Sequence, residues 1–224
     1  MNRQKICDTI KFDFTSQLTD IWGGTMNAKF FDLKQEKQDR IINACLKLFA
    51  LNGYLHASTD DIVKEAHISK GLLFHYFESK LGAYSFLYDF SVRYYSLELS
   101  TAIDPGETSY VEILRQVEAA KMQVMKSYPY MCLFLERCKT EDIAEAVLSI
   151  EASRRSFEDT IGTIFARADM TYIYSKANSD RLFKMLEFTL VGTMKNMLMD
   201  GSFNAEMLYK ENIKFINTVD KALK

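Results

Sequence analysis

From residue 34 onward the apolar positions recur every three or four residues, and no stretch reads as a strand. That period gathers them on one face of an α-helix. Ile41, Ile42, Cys45, Leu48 and Phe49 form the first stripe and predict a helix from Lys34 to Leu51. Gly53 is placed as the left-handed residue that closes it, with Tyr54 as its apolar follower. Ser58 is a good N-cap for a second helix carrying Ile62, Val63 and Ala66, and Asp61 stands where it can return the capping bond. After a turn at His67-Ile68, Ser69 caps a third helix whose Leu73 and Phe77, four apart, face a core. Ser79 opens a long, aromatic-rich helix that reaches Ala102 and stops at Asp104-Pro105-Gly106.

The same period continues to the end of the chain. It predicts helices over Tyr110 to Ser127, Pro129 to Cys138, Glu141 to Ala168, Ser179 to Asp200 (closed by Gly201) and Asn204 to Leu223. No internal repeat, linker or low-complexity tract interrupts them. Ahead of residue 34, Ile6, Ile10, Phe14, Leu18 and Ile21 also keep a helical spacing. A second reading of this segment starts from its codons. Trp22-Gly23-Gly24-Thr25 before Met26 allows GGAGG just upstream of an ATG, which resembles a ribosome-binding site and makes Met26 an expected natural start.

The centre of the chain is Ser58 to Lys80: a helix, a tight turn and a short helix with Lys70, Leu72, His75 and Tyr76 on its outer side. A short donor-rich helix anchored on another helix suits insertion into a major groove. The run Ala66-His67-Ile68-Ser69-Lys70-Gly71-Leu72-Leu73-Phe74-His75-Tyr76-Phe77-Glu78-Ser79-Lys80 resembles the DNA-binding signature of the tetracycline-repressor (TetR) family. So does Phe49-Ala50-Leu51-Asn52-Gly53-Tyr54 upstream. The resemblance covers roughly Gln38 to Leu87, with residue types and spacing agreeing over three consecutive elements.

It implies an all-α protein of two domains. Residues 34–80 would be a three-helix helix-turn-helix DNA-binding domain, residues 81–224 a helical effector-binding and dimerisation domain, and residues 1–33 an N-terminal extension. The function it implies is a ligand-responsive transcriptional regulator, most often a cytoplasmic repressor released from a palindromic operator by a small hydrophobic effector. DNA contacts are expected at the positions matching Thr59, Lys70, Gly71, Leu72, Phe74, His75, Tyr76 and Lys80. Lys70 can donate to guanine or phosphate, His75 to a base edge, and Leu72 can meet a thymine methyl. Thr59, Tyr76 and Lys80 suit phosphates. Phe74 and Tyr76 also suit simple packing of the small domain.

Two departures from the family pattern bear on affinity. His67 stands where the turn usually has Gly, and Asp60 and Asp61 stand near the start of the second helix. The two carboxylates suit the helix dipole but repel a phosphate they face. Charge adds to this. The chain has a net charge of -2, and residues 26–80 hold eight Lys and Arg against seven Asp and Glu, a net +1 that is low for a DNA-binding unit. A rival reading is therefore a helical small-molecule-binding protein with a weakened DNA-binding head.

Other chemistry finds little support. His56, His67 and His75 lie without a Cys or a carboxylate pair at metal-ligand spacing, so no metal is expected. No phosphate-binding loop, nucleophile elbow or HExxH is present, so neither an enzyme nor a cofactor is expected. Cys7, Cys45, Cys132 and Cys138 show no CxxC pattern and read as buried free thiols. The C-terminal part is rich in methionine, a residue that fills irregular gaps and lines adaptable pockets. Met122, Met125, Met131, Phe134, Phe157, Ile161, Phe165 and Phe188 are the expected lining of an apolar effector cavity, with Glu118, Arg137 and Thr189 as orienting polar groups. The last two helices carry more apolar surface than one subunit buries, and Gly192 allows close approach, as expected of a homodimer built through a four-helix bundle.

Overall fold

The computed structural model describes residues 28–171 and 179–223. The expectations on Met1 to Thr25 lie outside those residues. Among them the secondary structure is helical, apart from one isolated bridge between Ser109 and Asp169. The helices are α1 (Ala28–Phe31), α2 (Gln35–His56), α3 (Thr59–Ala66), α4 (Lys70–Phe77) and α5 (Lys80–Ala102), then α6 (Tyr110–Ser127), α7 (Met131–Cys138), α8 (Ala144–Ala166), α9 (Ser179–Met199) and α10 (Ala205–Leu223).

Helix α1 is an addition to the expected pattern. Phe30, placed by the sequence in the N-terminal extension, is fully buried against Tyr76, Phe77 and Phe86. Gln38 holds the segment in place by donating from Nε2 to the carbonyls of Phe31 and Leu33. A four-residue helix has too short a period to be visible in a sequence, and its burial depends on partners 46 or more residues away.

Helix α2 is broken at Gly53, two residues past the expected end at Leu51. Gly53 has the expected positive φ (71°), but its ψ of 177° is extended, a combination open in practice to glycine. The chain then makes one further turn to His56. Two bonds to the C-terminal part anchor that turn: Tyr54 donates its backbone N–H to Glu141 Oε2 (3.0 Å) and its hydroxyl to Glu145 Oε1 (2.7 Å). A Cβ at position 53 would also stand 2.9 Å from the Arg137 guanidinium.

One continuous core runs across the boundary expected at residue 80. It joins Ile41, Cys45 and Phe49 of α2 to Tyr84 and Leu87 of α5 and to Met131 and Phe134 of α7. Tyr84 is its hub, edge-on to Phe49 (5.2 Å), Tyr54 (5.2 Å) and Phe134 (5.5 Å), with its hydroxyl 3.1 Å from Cys138 Sγ. Polar ties repeat the link: Tyr128 donates to Asp39 Oδ1 (2.6 Å), and Asn43 donates to the Ser127 carbonyl (3.3 Å). The head therefore meets the C-terminal part both through α5 and through the packing of α2 on α7.

Burial keeps the core's thiols and phenols neutral. It pushes the thiols of Cys45, Cys132 and Cys138 from 9.0 up to about 12. Tyr54 rises from 10.0 to about 12, by burial first and then by its bond to Glu145, while Tyr84 and Tyr128 rise further still. An acid whose folded pKa is raised contributes stability that is complete below its unfolded pKa and is lost above it. The expected result is a melting temperature that falls progressively as pH rises from about 9 towards 12, with the three thiols inert to a thiol reagent at pH 8 until the chain unfolds. Stoichiometric labelling of all three in the native protein contradicts this burial.

Candidate nucleic-acid interface and effector region

The head is assembled by local caps. Ser58 Oγ accepts from the N–H groups of Asp60 (3.2 Å) and Asp61 (3.4 Å) and so starts α3; the return bond expected from Asp61 is not formed. His67 ends α3 in the left-handed region (φ 52°, ψ 49°), the conformation the turn requires, and Ile68 donates back to the Val63 carbonyl (3.0 Å). Ser69 Oγ then accepts from Leu72 N–H (3.2 Å) and starts α4. On α4, Leu73, Tyr76 and Phe77 face inward, Leu72 and Phe74 are half-buried, and Lys70, Gly71 and His75 are exposed. Thr59, the first residue of α3, is half-buried.

The exit from α4 is equally tight. Glu78 has φ 60° and ψ -43°, and Ser79 donates to the Phe77 carbonyl at 2.6 Å, which closes a γ-turn. Ser79 Oγ accepts from Gly82 N–H (2.9 Å) and starts α5 at once. A Cβ on Gly82 would overlap the Phe77 carbonyl oxygen, so the closeness of this turn depends on that glycine.

Two residues expected at phosphates are turned elsewhere. Tyr76 is only 5% exposed, its ring edge-on to Phe30 and His75, because α1 supplies a ring for it to pack on. Lys80 donates from Nζ to the Leu55 carbonyl (3.0 Å) and lies 4.8 Å over the Tyr54 ring. It satisfies the ragged end of α2, and burial lowers its pKa. Lys70 keeps an exposed position but is ion-paired: its Nζ is 2.8 Å from Asp60 Oδ1. Asp60 is a site residue the sequence left out as a partner. The pair spans the turn, ten residues apart, and no single-helix spacing announces it.

The eight apolar residues expected to line one effector cavity are dispersed. Met125, Met131 and Phe134 are buried in the core shared with the head, with Met122 packed against it. Phe157 and Ile161 pack on Leu99 and Ala120, Phe165 pairs with Tyr110 (5.3 Å), and Phe188 is 66% exposed on α9. The helical period places each of them on an apolar face but does not say which neighbour that face meets. Glu118 is buried and bound to Asn212 Nδ2 (2.7 Å) and Lys121 Nζ (3.2 Å). Thr189 donates to its own helix at Met185, and Arg137 lies against Gly53. The open space is elsewhere, in a groove of about 820 Å³ between α5 and α8. Among the described residues no three His, Cys, Asp or Glu side chains gather as for a metal, and no helix is long and apolar enough to cross a membrane.

A capped helix-turn-helix, joined by a long helix to a helical second part, defines a helix-turn-helix protein. Residues 41–82 match the model of the family described as bacterial regulatory proteins, tetR family. The chain thus carries a tetR-family DNA-binding domain, as its resemblance implies. It is 30% identical over 152 residues to YuxN of Bacillus subtilis (strain 168), described as an uncharacterized HTH-type transcriptional regulator. That stretch is 62% of this chain and 49% of YuxN, so the match spans about half of that relative's length. Among solved structures, the fatty acid degradation regulator FadR from Bacillus halodurans superposes with a TM-score of 0.54 at 17% identity, over 80% of this chain and 96% of that one. FadR from Bacillus subtilis, in complex with stearoyl-CoA, gives 0.52 at 16% identity, with the same 80% and 96% coverage. At such identities the two structures share the fold with this chain.

Proposed function

We propose that this protein is a homodimeric, cytoplasmic, ligand-responsive transcriptional regulator, acting without catalysis, most simply as a repressor that a small effector releases from a near-palindromic operator. The observation that carries this is the head itself: a left-handed turn at His67 and a capped α4 that keeps Lys70, Gly71 and His75 outward. Dimerisation would use the apolar face of α9, where Met185, Phe188 and Met199 are exposed, together with the exposed Met207 of α10. Two copies of α4 would then enter successive major grooves about one helical turn apart. An effector that prefers the conformation with wrongly spaced heads lowers operator affinity by its differential affinity for the two states.

The Lys70–Asp60 pair favours a second reading, a small-molecule-binding protein whose head has lost its grip on DNA. A titration against the DNA upstream of the protein's own gene, at two salt concentrations, separates the two. The regulator shows saturable binding that survives competitor DNA and weakens with salt, and Lys70→Ala lowers the slope of that salt dependence by a fraction of 1, because Asp60 already shares that cation. Weak binding, equal for any DNA, selects the second reading.

A further inference from the structure

We propose that the groove between α5 and α8 is a binding site for a small amphipathic anion, with its carboxylate or phosphate on Arg167 and Arg155 and its apolar chain along Leu99, Ile103 and Ile164. The groove holds about 820 Å³, within the range of small-molecule sites. It is lined by α5, the turn after it and α8, and none of the apolar residues singled out from the sequence takes part.

The floor is apolar and the rim is polar. Leu99 and Ile103 are buried in a small cluster of their own, with Ile164 packed against it. Along α8 and its C-cap, Arg155, Asp159, Thr163 and Arg167 follow at steps of four on the side that the groove meets. The hydroxyls of Ser100, Thr160 and Thr163 donate to carbonyls of their own helices and leave lone pairs towards their surroundings. The charged lining is two arginines against the single carboxylate of Asp159, a local excess of one positive charge.

Arg167 is the group that points to a ligand. Its Nη1 donates to the Pro105 carbonyl at 3.3 Å, but its Nε is buried with no acceptor among the described residues. A buried guanidinium N–H without an acceptor is costly, and a carboxylate or phosphate oxygen is the acceptor that suits a guanidinium best. Arg155 is exposed and spends Nε and one terminal nitrogen on Glu151, which leaves further N–H groups for an anion. The placement also gives the site a lever. Ser96, Leu99 and Ser100, with Ile103 as the C-cap, form the far end of the helix that begins beside α4 at Lys80, so a ligand held between α5 and α8 acts on the element that carries the head.

This inference rests on the regulator reading for its consequence only; binding is measured without DNA. Calorimetric titration of the full chain with octanoate, octyl phosphate and octanol is the test. Saturable binding of either anion is expected, at least tenfold weaker for Arg167→Gln and for the neutral alcohol. The choice between octanoate and octyl phosphate identifies the head group. Ser156→Trp fills the groove without touching Arg167 and is expected to abolish the same heat, so the test survives if Arg167→Gln fails to fold. Absence of saturable binding by both anions, equal binding by octanol, or undiminished binding by both variants overturns the proposal. If the anion binds while promoter DNA does not, the regulator reading falls and the groove stands.

Discussion

Replacing Tyr84 by alanine is expected to cost about 3–5 kcal/mol, the range for deleting a large buried aromatic side chain. Tyr84 is 1% exposed, and its ring meets Phe49 and Tyr54 from the head and Phe134 from the C-terminal part. The cavity would open where the two parts join, so both should lose stability in one transition. For a chain of this size the loss corresponds to a melting point lowered by roughly 6–20 °C. Tyr84→Phe keeps the ring and removes only the hydroxyl beside Cys138, so its cost should stay near ~1 kcal/mol. Urea unfolding of both variants checks the argument. Equal losses would move the importance from the ring to the hydroxyl, and a negligible loss in Tyr84→Ala would deny that this ring joins the two parts.

Replacing Asp60 by asparagine is expected to tighten operator binding several-fold at low salt and to steepen its salt dependence by up to about 1 in slope. Asp60 holds Lys70 Nζ at 2.8 Å on a face where both side chains are well exposed. An exposed pair of this kind contributes little to folding, so the substitution should leave stability nearly unchanged. Its effect on DNA is larger because a competing carboxylate is removed from the cation nearest the start of α4. In the double variant Asp60→Asn, Lys70→Ala the gain should vanish, since the two residues act as one unit. Gain of the same size without Lys70 would assign the effect to general repulsion by Asp60. An unchanged affinity in Asp60→Asn alone would remove the pair from any account of DNA binding.

Two joints tie the head to the rest of the chain. The head is tied to the C-terminal part through α5, entered by the γ-turn at Glu78, and through α2, whose last turn is bound to Glu141 and Glu145. A change in the tilt of α5 must therefore be accommodated by the packing of α2 on α7.

What the sequence by itself determined is what neighbouring residues determine. Ser58, Ser69 and Ser79 start three helices because each hydroxyl accepts from an N–H two or three residues on. His67 takes the left-handed turn, and the helical period sorts apolar from polar faces. The tertiary structure alone decided which face meets which. It turned Tyr76 towards Phe30 and Lys80 towards Leu55, tied Lys70 to Asp60, and scattered the methionines and phenylalanines expected around one cavity. It also brought Arg167 beside Pro105 and opened the groove between α5 and α8. A period of 3.6 residues fixes the direction of a side chain from its own helix, whereas its partner is set by how helices distant in the chain pack, which no local spacing records.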